Sequence, residues 1–160
     1  MCWTDVELPI VLAANILGWP VIHLAVSTWV TRWPIGRFNP AGPLYRERSW
    51  EAGGALYERL FRIRSWKRRL PDGAALFPGA FRKSRLAGRD AAYLDRFTLE
   101  TCRGELVHWI ALAFTPLFFL WNPPWAMGVM ASYGILANLP CILAQRYNRL
   151  RFQRLLARRC

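Results

Sequence analysis

Apolar and polar positions divide the chain into three apolar blocks separated by polar segments. The first block runs from Pro9 to Val30 without a formal charge. The second and third, residues 106–121 and 125–144, are separated by the sequence Asn122-Pro-Pro, which is typical of a tight turn. Because roughly 20 apolar residues cross a bilayer as a helix, the pattern predicts an all-α integral membrane protein with three transmembrane helices, at 9–30, 106–121 and 125–144.

Charge lies between and after these blocks. Residues 31–105 carry sixteen Lys or Arg and eight Asp or Glu, and the tail, residues 145–160, carries six Arg and no acid. Basic segments beside membrane helices stay on the cytoplasmic side. Three spans therefore place the N-terminus outside, and they place the basic segment and the C-terminal tail in the cytoplasm. We expect a multi-pass protein of the cell membrane.

The composition excludes several other classes of protein. A chain of 160 residues forms one domain, and 54% hydrophobic residues with a net charge of +12 are unusual for a soluble globule. Membrane orientation explains the positive charge, so we predict membrane lipids and no nucleic acid as partners. A cleaved signal peptide is the alternative for the first block, but its N-terminal flank is acidic and its apolar run is long. The four cysteines form no CxxC pair and indicate neither zinc nor a disulfide framework.

The basic segment mixes aromatic residues with its charges. Within residues 50–66, apolar side chains recur at helical spacing while Glu and Arg fill the other positions. This pattern predicts an amphipathic helix lying on anionic lipid, and a helix packed into a small cytosolic subdomain is the alternative. The run Lys67-Arg-Arg that follows could hold a phosphate or only contact lipid headgroups. Whether Pro71–Ala87 re-enters the membrane stays open.

Ionisable residues lead directly into the second block. A helix that starts near Asp90 and continues into that block puts Glu105 and His108 one turn apart on one face. Glu100 can be neutralised by Arg96 and Arg103, which lie four residues before it and three after it. Ionisable groups at membrane depth are costly to bury and usually functional. The alternative is that Glu105 and His108 are solvated at the membrane interface and only structural.

The third block ends in a similar polar face. Asn138, Gln145 and Arg149 share one side of a helix. If the hairpin closes at Asn122-Pro-Pro, the cytoplasmic ends of the two helices meet, and Glu105 and His108 come within reach of Gln145 and Arg149. The sequence therefore predicts a polar pocket at membrane depth.

Such a pocket suits general-base chemistry on a hydroxyl that attacks a carbonyl. A histidine oriented by a carboxylate is a general base that can take the proton of a hydroxyl, and arginines or amides can stabilise an oxyanion or hold a phosphorylated carrier. The spacing Glu105-x-x-His108 also occurs in metal sites, but a single copy supplies too few ligands, and we predict no metal. Cys102 is a weaker candidate nucleophile, because it lies about 120° around the helix from His108.

Three motifs carry a family resemblance. The stretches "ETCRGELVHWI" (100–110), "ANLPCILAQRYNR" (137–149) and "RSWKRRLPDG" (64–73) resemble the glycosyl-4,4'-diaponeurosporenoate acyltransferase family of carotenoid biosynthesis. The resemblance runs from roughly Trp29 to Leu155 and departs at Leu150, where the family often has proline. It implies an enzyme of the bacterial cell membrane that esterifies a fatty acyl chain onto a sugar hydroxyl of a glycosylated apocarotenoid.

The resemblance and the residue patterns lead to one hypothesis. His108 is the base, Glu105 orients it, and Arg103 or Gln145 stabilises the oxyanion. Lys67, Arg146 and Arg149 bind the phosphates of the acyl donor, a thioester of coenzyme A or of acyl carrier protein, with no cofactor. The motif matches that complete the expected substrate-binding set are Trp66, Asp72, Gly73, Asn138, Tyr147 and Asn148. Two alternatives stay open: a non-enzymatic lipid- or partner-binding membrane subunit, and an acyltransferase or hydrolase acting on another glycolipid.

Overall fold

The computed structural model describes residues 7–70, 81 and 90–158. These residues form α-helices and short 3-10 helices joined by turns and loops, which confirms the all-α prediction. The α-helices are α1 (Glu7–Thr31), α2 (Ala55–Phe61), α3 (Ile63–Trp66), α4 (Ala91–Ala113) and α5 (Pro124–Ala157). The 3-10 helices are Ile35–Arg37, Ser49–Gly54, Lys67–Arg69 and Thr115–Leu120. The question whether Pro71–Ala87 re-enters the membrane falls on a segment that, apart from Phe81, lies outside the described residues.

The chain divides into two compact units. We call the first the apolar unit; it comprises Met1–Trp33 and Leu106–Leu139. We call the second the basic unit; it comprises Pro34–Glu105 and Pro140–Cys160. In the sequence, every Lys and Arg except Arg32 belongs to the basic unit, which also holds all the acids except two at the N-terminus. The separation of charge along the sequence is thus also a separation between folded units.

Among the described residues, two helices are long and apolar enough to cross a membrane. Helix α1 has a mean hydropathy of 1.8 over its most apolar window, and α5 reaches 1.6. Helix α1 agrees with the predicted span at 9–30. Helix α5 begins as predicted but continues through the basic tail to Ala157, since Leu, Arg, Gln and Ala all favour helix and no glycine or proline follows Pro140.

The prediction of one α-helix over residues 106–121 is wrong. Helix α4 ends at Ala113, and Thr115–Leu120 forms a 3-10 helix instead. The reason is Pro116, which has no N–H to donate to the carbonyl of Leu112 and whose ring would clash with that carbonyl. The hydroxyl of Thr115 donates to this carbonyl instead, at 2.6 Å.

Helix α1 is anchored in the apolar unit by Trp19. Its indole stacks on the Phe118 ring with a centroid separation of 5.0 Å. The indole also lies over Gly134, where a Cβ atom would come within 2.6 Å of it. Asn138 lies one helical turn after Gly134. The contact between Trp19 and Gly134 therefore sets the position of α1 along the axis of α5 near Asn138. This axial position determines which residue of α1 contacts Asn138.

The basic segment forms two short α-helices, α2 and α3, and not one helix over residues 50–66. Ala52, Gly53 and Gly54 have positive φ angles, and Arg62 has another. The first break uses two glycines, for which the left-handed region costs little. The segment has features of both alternatives, a helix packed into a core and a helix with an exposed apolar face. Tyr57 is buried in a small core with Ile63, Tyr147 and Leu150, whereas Leu60 and Phe61 are exposed.

Candidate active site

Helix α4 begins where the sequence predicts. The backbone N–H of Tyr93 donates to the Asp90 carboxylate at 2.8 Å, a hydrogen bond that satisfies one free donor of the first turn. The predicted ion pairs of Glu100 are confirmed, with Arg96 at 3.0 Å and Arg103 at 3.1 Å. The guanidinium of Arg103 also lies over the ring of Phe38 at 5.4 Å.

Three side chains of the apolar unit form what we call the histidine cluster: His23, His108 and Asn138. The Asn138 Oδ1 atom lies 3.0 Å from His108 Nδ1 and 2.9 Å from His23 Nε2. The other end of the amide, Nδ2, donates to the Gly134 carbonyl at 2.9 Å. Because a carbonyl can only accept, this last hydrogen bond fixes the amide orientation and turns Oδ1 toward the two imidazoles.

The fixed amide determines which His108 nitrogen carries hydrogen. An acceptor oxygen facing Nδ1 requires a hydrogen on Nδ1, so the lone pair of the neutral ring lies on Nε2. Asn138 is fully buried and its position is set by its own helix. The amide therefore supplies a hydrogen bond that orients the His108 ring, a role that the sequence suggested for Glu105.

His23 is a member of this cluster that was not predicted from the sequence. Its Nδ1 donates to the Trp19 carbonyl at 2.9 Å, and its ring lies 6.0 Å from that of His108, centroid to centroid. Both nitrogens face oxygen acceptors, so the two hydrogen bonds form together only when both nitrogens carry hydrogen. The signal was present in the sequence, because His23 is the one titratable residue between Glu7 and Arg32, and such residues in an apolar span are usually functional.

The basic unit contains a second polar group, which we call the carboxylate–guanidinium cluster: Glu51, Glu105, Arg146 and Arg149. Glu105 and Arg149 are both fully buried, with 2.5 Å between Oε2 and the nearer guanidinium nitrogen. Arg146 pairs with Glu105 at 3.2 Å and with Glu51 at 2.5 Å. The prediction that Glu105 lies within reach of Arg149 is confirmed. The sequence did not indicate that Glu51 is an ionic partner of Arg146.

Backbone and phenol groups complete this cluster. Arg149 Nε donates to the Tyr45 carbonyl at 3.2 Å, and Arg146 donates to the Leu44 carbonyl at 2.9 Å. The Tyr57 hydroxyl donates to Glu51. Burial raises the pKa of Glu51, but the hydrogen bonds from Arg146 and Tyr57 outweigh burial and hold that pKa below its ordinary value. Glu51 is therefore charged, and the cluster ties the segment from Leu44 to Glu51 to helix α5.

The remaining predicted residues lie at several places in the basic unit. Lys67 Nζ donates to Asn148 Oδ1 at 2.5 Å and lies 4.9 Å from the centroid of the Tyr147 ring. Trp66 donates its indole N–H to the Phe61 carbonyl at 2.7 Å. The Gln145 Oε1 atom is buried without a hydrogen-bond partner among the described residues. Asp72 and Gly73 lie outside the described residues.

Lys67 should lose its proton near pH 8 in the folded protein. Burial, together with the positive charges of Arg151 and Arg64, lowers the pKa of this amine from 10.5 to about 8. Amine acetylation at different pH values, read for Lys67 by peptide mass spectrometry, should therefore show a midpoint near pH 8. In Arg151→Gln the midpoint should move up. A midpoint that is the same in folded and denatured protein would contradict the assignment.

Comparison with known proteins identifies the chain. The family model described as glycosyl-4,4'-diaponeurosporenoate acyltransferase matches residues 42–158. A protein with this name from Staphylococcus haemolyticus is 36% identical over 84% of this chain and 78% of its own length. One from Staphylococcus aureus (strain USA300) is 28% identical over 86% of this chain and 83% of its own. No solved structure matches the chain. The chain therefore belongs to the glycosyl-4,4'-diaponeurosporenoate acyltransferase family and is an acyltransferase of carotenoid biosynthesis.

Proposed function

We propose that this acyltransferase esterifies a fatty acyl chain onto a sugar hydroxyl of a glycosylated apocarotenoid, with His108 as the general base. The names of the relatives supply the class of acceptor. The observation that carries the catalytic assignment is the hydrogen bond from His108 Nδ1 to Asn138, because it leaves the Nε2 lone pair as the proton acceptor. Family membership also favours this function over that of a non-enzymatic membrane subunit.

The reaction is a direct acyl transfer from a thioester of coenzyme A or of acyl carrier protein. His108 Nε2 takes the proton of the sugar hydroxyl while the hydroxyl oxygen attacks the thioester carbonyl. The tetrahedral intermediate carries its negative charge on the former carbonyl oxygen, and Arg103 or Gln145 is the proposed donor to it. When the carbon–sulfur bond breaks, the imidazolium returns the proton to the thiolate, so the ester and the free thiol leave with the base regenerated.

Four residues take different roles in this proposal from those that the sequence suggested. Asn138 orients His108, and Glu105 is a structural anion, because Arg146 and Arg149 hold it in the basic unit. The ion pairs with Glu105 engage the guanidinium groups of Arg146 and Arg149, and Arg149 is fully buried. We therefore keep only Lys67 of the three cations first assigned to the donor phosphates.

A membrane location follows from the charge of the two units. The parts of the sequence that form the apolar unit contain three formal charges in all, Asp5, Glu7 and Arg32. We propose that this unit is embedded in the bacterial cell membrane and that the basic unit faces the cytoplasm, in line with the positive-inside rule. Three crossings, the second made by the end of α4 together with the 3-10 helix Thr115–Leu120, put the N-terminus outside and the C-terminus inside. Accessibility of single cysteines introduced at residue 37 and at residue 122 tests this orientation.

The function is tested by mass spectrometry of lipids from cells that make a glycosylated apocarotenoid. Expression of this chain should convert the glycoside to a species heavier by the mass of one fatty acid less one water. Cells without the chain should keep the free glycoside. If the glycoside is unchanged while another glycolipid gains the acyl group or loses one, the acceptor is different and the proposed substrate is wrong.

A further inference from the structure

The basic unit contains a cleft whose arginines have no role in the reaction proposed above. It has a volume of about 230 Å³ and lies beside the Gly53-Gly54 turn, α2 and the last turns of α5. Its lining includes one acid, Glu58, and four arginines: Arg64, Arg151, Arg154 and Arg158. We call it the arginine cleft. Its lining is strongly positive, so the ligand that it suits is an anion.

Two of the arginines are held in place by a buried phenol. The Tyr147 hydroxyl accepts from Arg64 Nε at 2.8 Å and from Arg151 at 3.3 Å. Tyr147 is only 1% exposed, so its oxygen is a fixed point at the cleft wall. The Arg151 guanidinium also lies over the Tyr147 ring at 5.6 Å from the centroid. These contacts orient the two guanidinium groups before any ligand binds, which lowers the cost of binding.

A third arginine depends on a glycine. Gly53 has a φ of +57°, and a Cβ atom placed on it would lie 1.6 Å from Arg154 Nε. The Arg154 guanidinium therefore lies directly on bare backbone, and no larger residue at position 53 would leave it there. The sequence thus meets two requirements with one glycine, the left-handed turn and the space for a cation.

The charge of the cleft is not balanced within the described part of the protein. Arg64 lies 3.9 Å from Glu58, in a pair whose side chains are 61% and 34% exposed. No ion pair joins Arg151, Arg154 or Arg158 to a carboxylate among residues 7–70, 81 and 90–158. This differs from Arg146 and Arg149, which are both paired with buried carboxylates. Gathering like charges in this way has a Coulombic cost that a bound anion removes.

We propose that the arginine cleft binds a phosphate group, as a monoester or a diphosphate, of a ligand whose remainder lies outside the cleft. The planar fork of a guanidinium matches two phosphate oxygens at once. The volume is below the roughly 300–1,000 Å³ of sites that enclose a drug-sized ligand, so it suits a head group. Two sources supply this chemistry: the carrier of the acyl donor, in which case the site rests on the proposed function, and an anionic phospholipid.

Binding can be measured without catalysis. The full chain is reconstituted into neutral phosphatidylcholine nanodiscs and titrated with coenzyme A and with inorganic pyrophosphate. In a separate arm, discs that contain phosphatidylglycerol are compared with neutral discs for lipid retained on the protein. The test variant is Arg151→Gln/Arg154→Gln. The matched control is Arg59→Gln/Arg62→Gln, which removes the same charge from exposed positions outside the cleft.

The test variant should bind its phosphate probe tenfold to a hundredfold more weakly than wild type, from the loss of charge-assisted hydrogen bonds. The control should stay within about threefold. Gly53→Ala, which keeps every charge but displaces Arg154, should also weaken binding. Coenzyme A bound in neutral discs supports the donor carrier, and retention of phosphatidylglycerol alone supports the lipid. If the test variant matches the control with every probe, or wild type binds none, the proposal is wrong, whatever the acyl-transfer assay shows.

Discussion

Replacing His108 with alanine should lower acyl transfer in isolated membranes by roughly 10²- to 10⁴-fold. This is the usual contribution of a positioned general base, and the orienting bond to Asn138 points to this imidazole as the base. The measurement is the initial rate of ester formation from an acyl thioester and the glycosylated apocarotenoid, normalised to the amount of protein in the membrane. A variant that keeps a rate within a few-fold of wild type would remove His108 from the mechanism.

Replacing Asn138 tests the orientation of the His108 imidazole while the imidazole itself is kept. Asn138→Ala removes the oxygen that holds the Nδ1 hydrogen, so the turnover number should fall and its pH profile should change, while KM stays nearly constant. The control is Leu136→Ala on the same helix, which is 74% exposed and should leave the rate as it is. If the two substitutions lower the turnover number equally, Asn138 has no specific role in orienting His108.

Replacing Glu105 with glutamine should lower the free energy of unfolding by about 3–5 kcal/mol, the usual cost of breaking a buried ion pair by removing one partner. The change keeps the shape of the side chain but leaves Arg149, which is fully buried, without its carboxylate. Denaturant unfolding of the detergent-solubilised protein, followed by tryptophan fluorescence, measures the difference.

Glu58→Gln is the matched control, because the pair of Glu58 with Arg64 is long and exposed. Its removal should cost at most about 1 kcal/mol. The double variant Glu105→Leu/Arg149→Leu should recover part of the lost stability, since replacing both buried charges with apolar groups removes the uncompensated cation. If Glu105→Gln abolishes acyl transfer while the unfolding free energy is unchanged, Glu105 is part of the chemistry, as the sequence pattern suggested, and our structural assignment fails.

Local features of the fold could be predicted from the sequence, because they depend on neighbours in the chain. The start of α4 at Asp90 and the pairs of Glu100 with Arg96 and Arg103 involve residues three or four apart. The errors were local as well. Pro116 ended a helix that hydropathy alone continues, and the Gly53-Gly54 turn broke the helix expected over residues 50–66. In both places backbone geometry overrides the apolar pattern.

The partners within the candidate site could not be predicted in the same way. His108 and Asn138 were both selected, but from separate motifs and for separate roles. Their contact joins residues 30 positions apart, and the contact of Asn138 with His23 joins residues 115 apart. Glu51 and Arg146 are 95 apart. Periodicity identifies which residues share a helix face, but it contains no information on which face of a distant helix they meet.

Helix α1 has two faces that should tolerate substitution differently. Ile10, Leu17 and Val21 are all more than 60% exposed on its outer side, where Leu, Ile, Val or Phe can replace one another with little change in packing. Trp19 and His23 are held by ring contacts and hydrogen bonds on the inner side. Exchange among apolar residues is therefore nearly neutral on the outer face and costly on the inner one. In distant relatives the apolar residues of this helix can be exchanged while the positions of its polar residues persist. An equivalent of His23 is therefore better sought by its position on the inner face than by sequence identity.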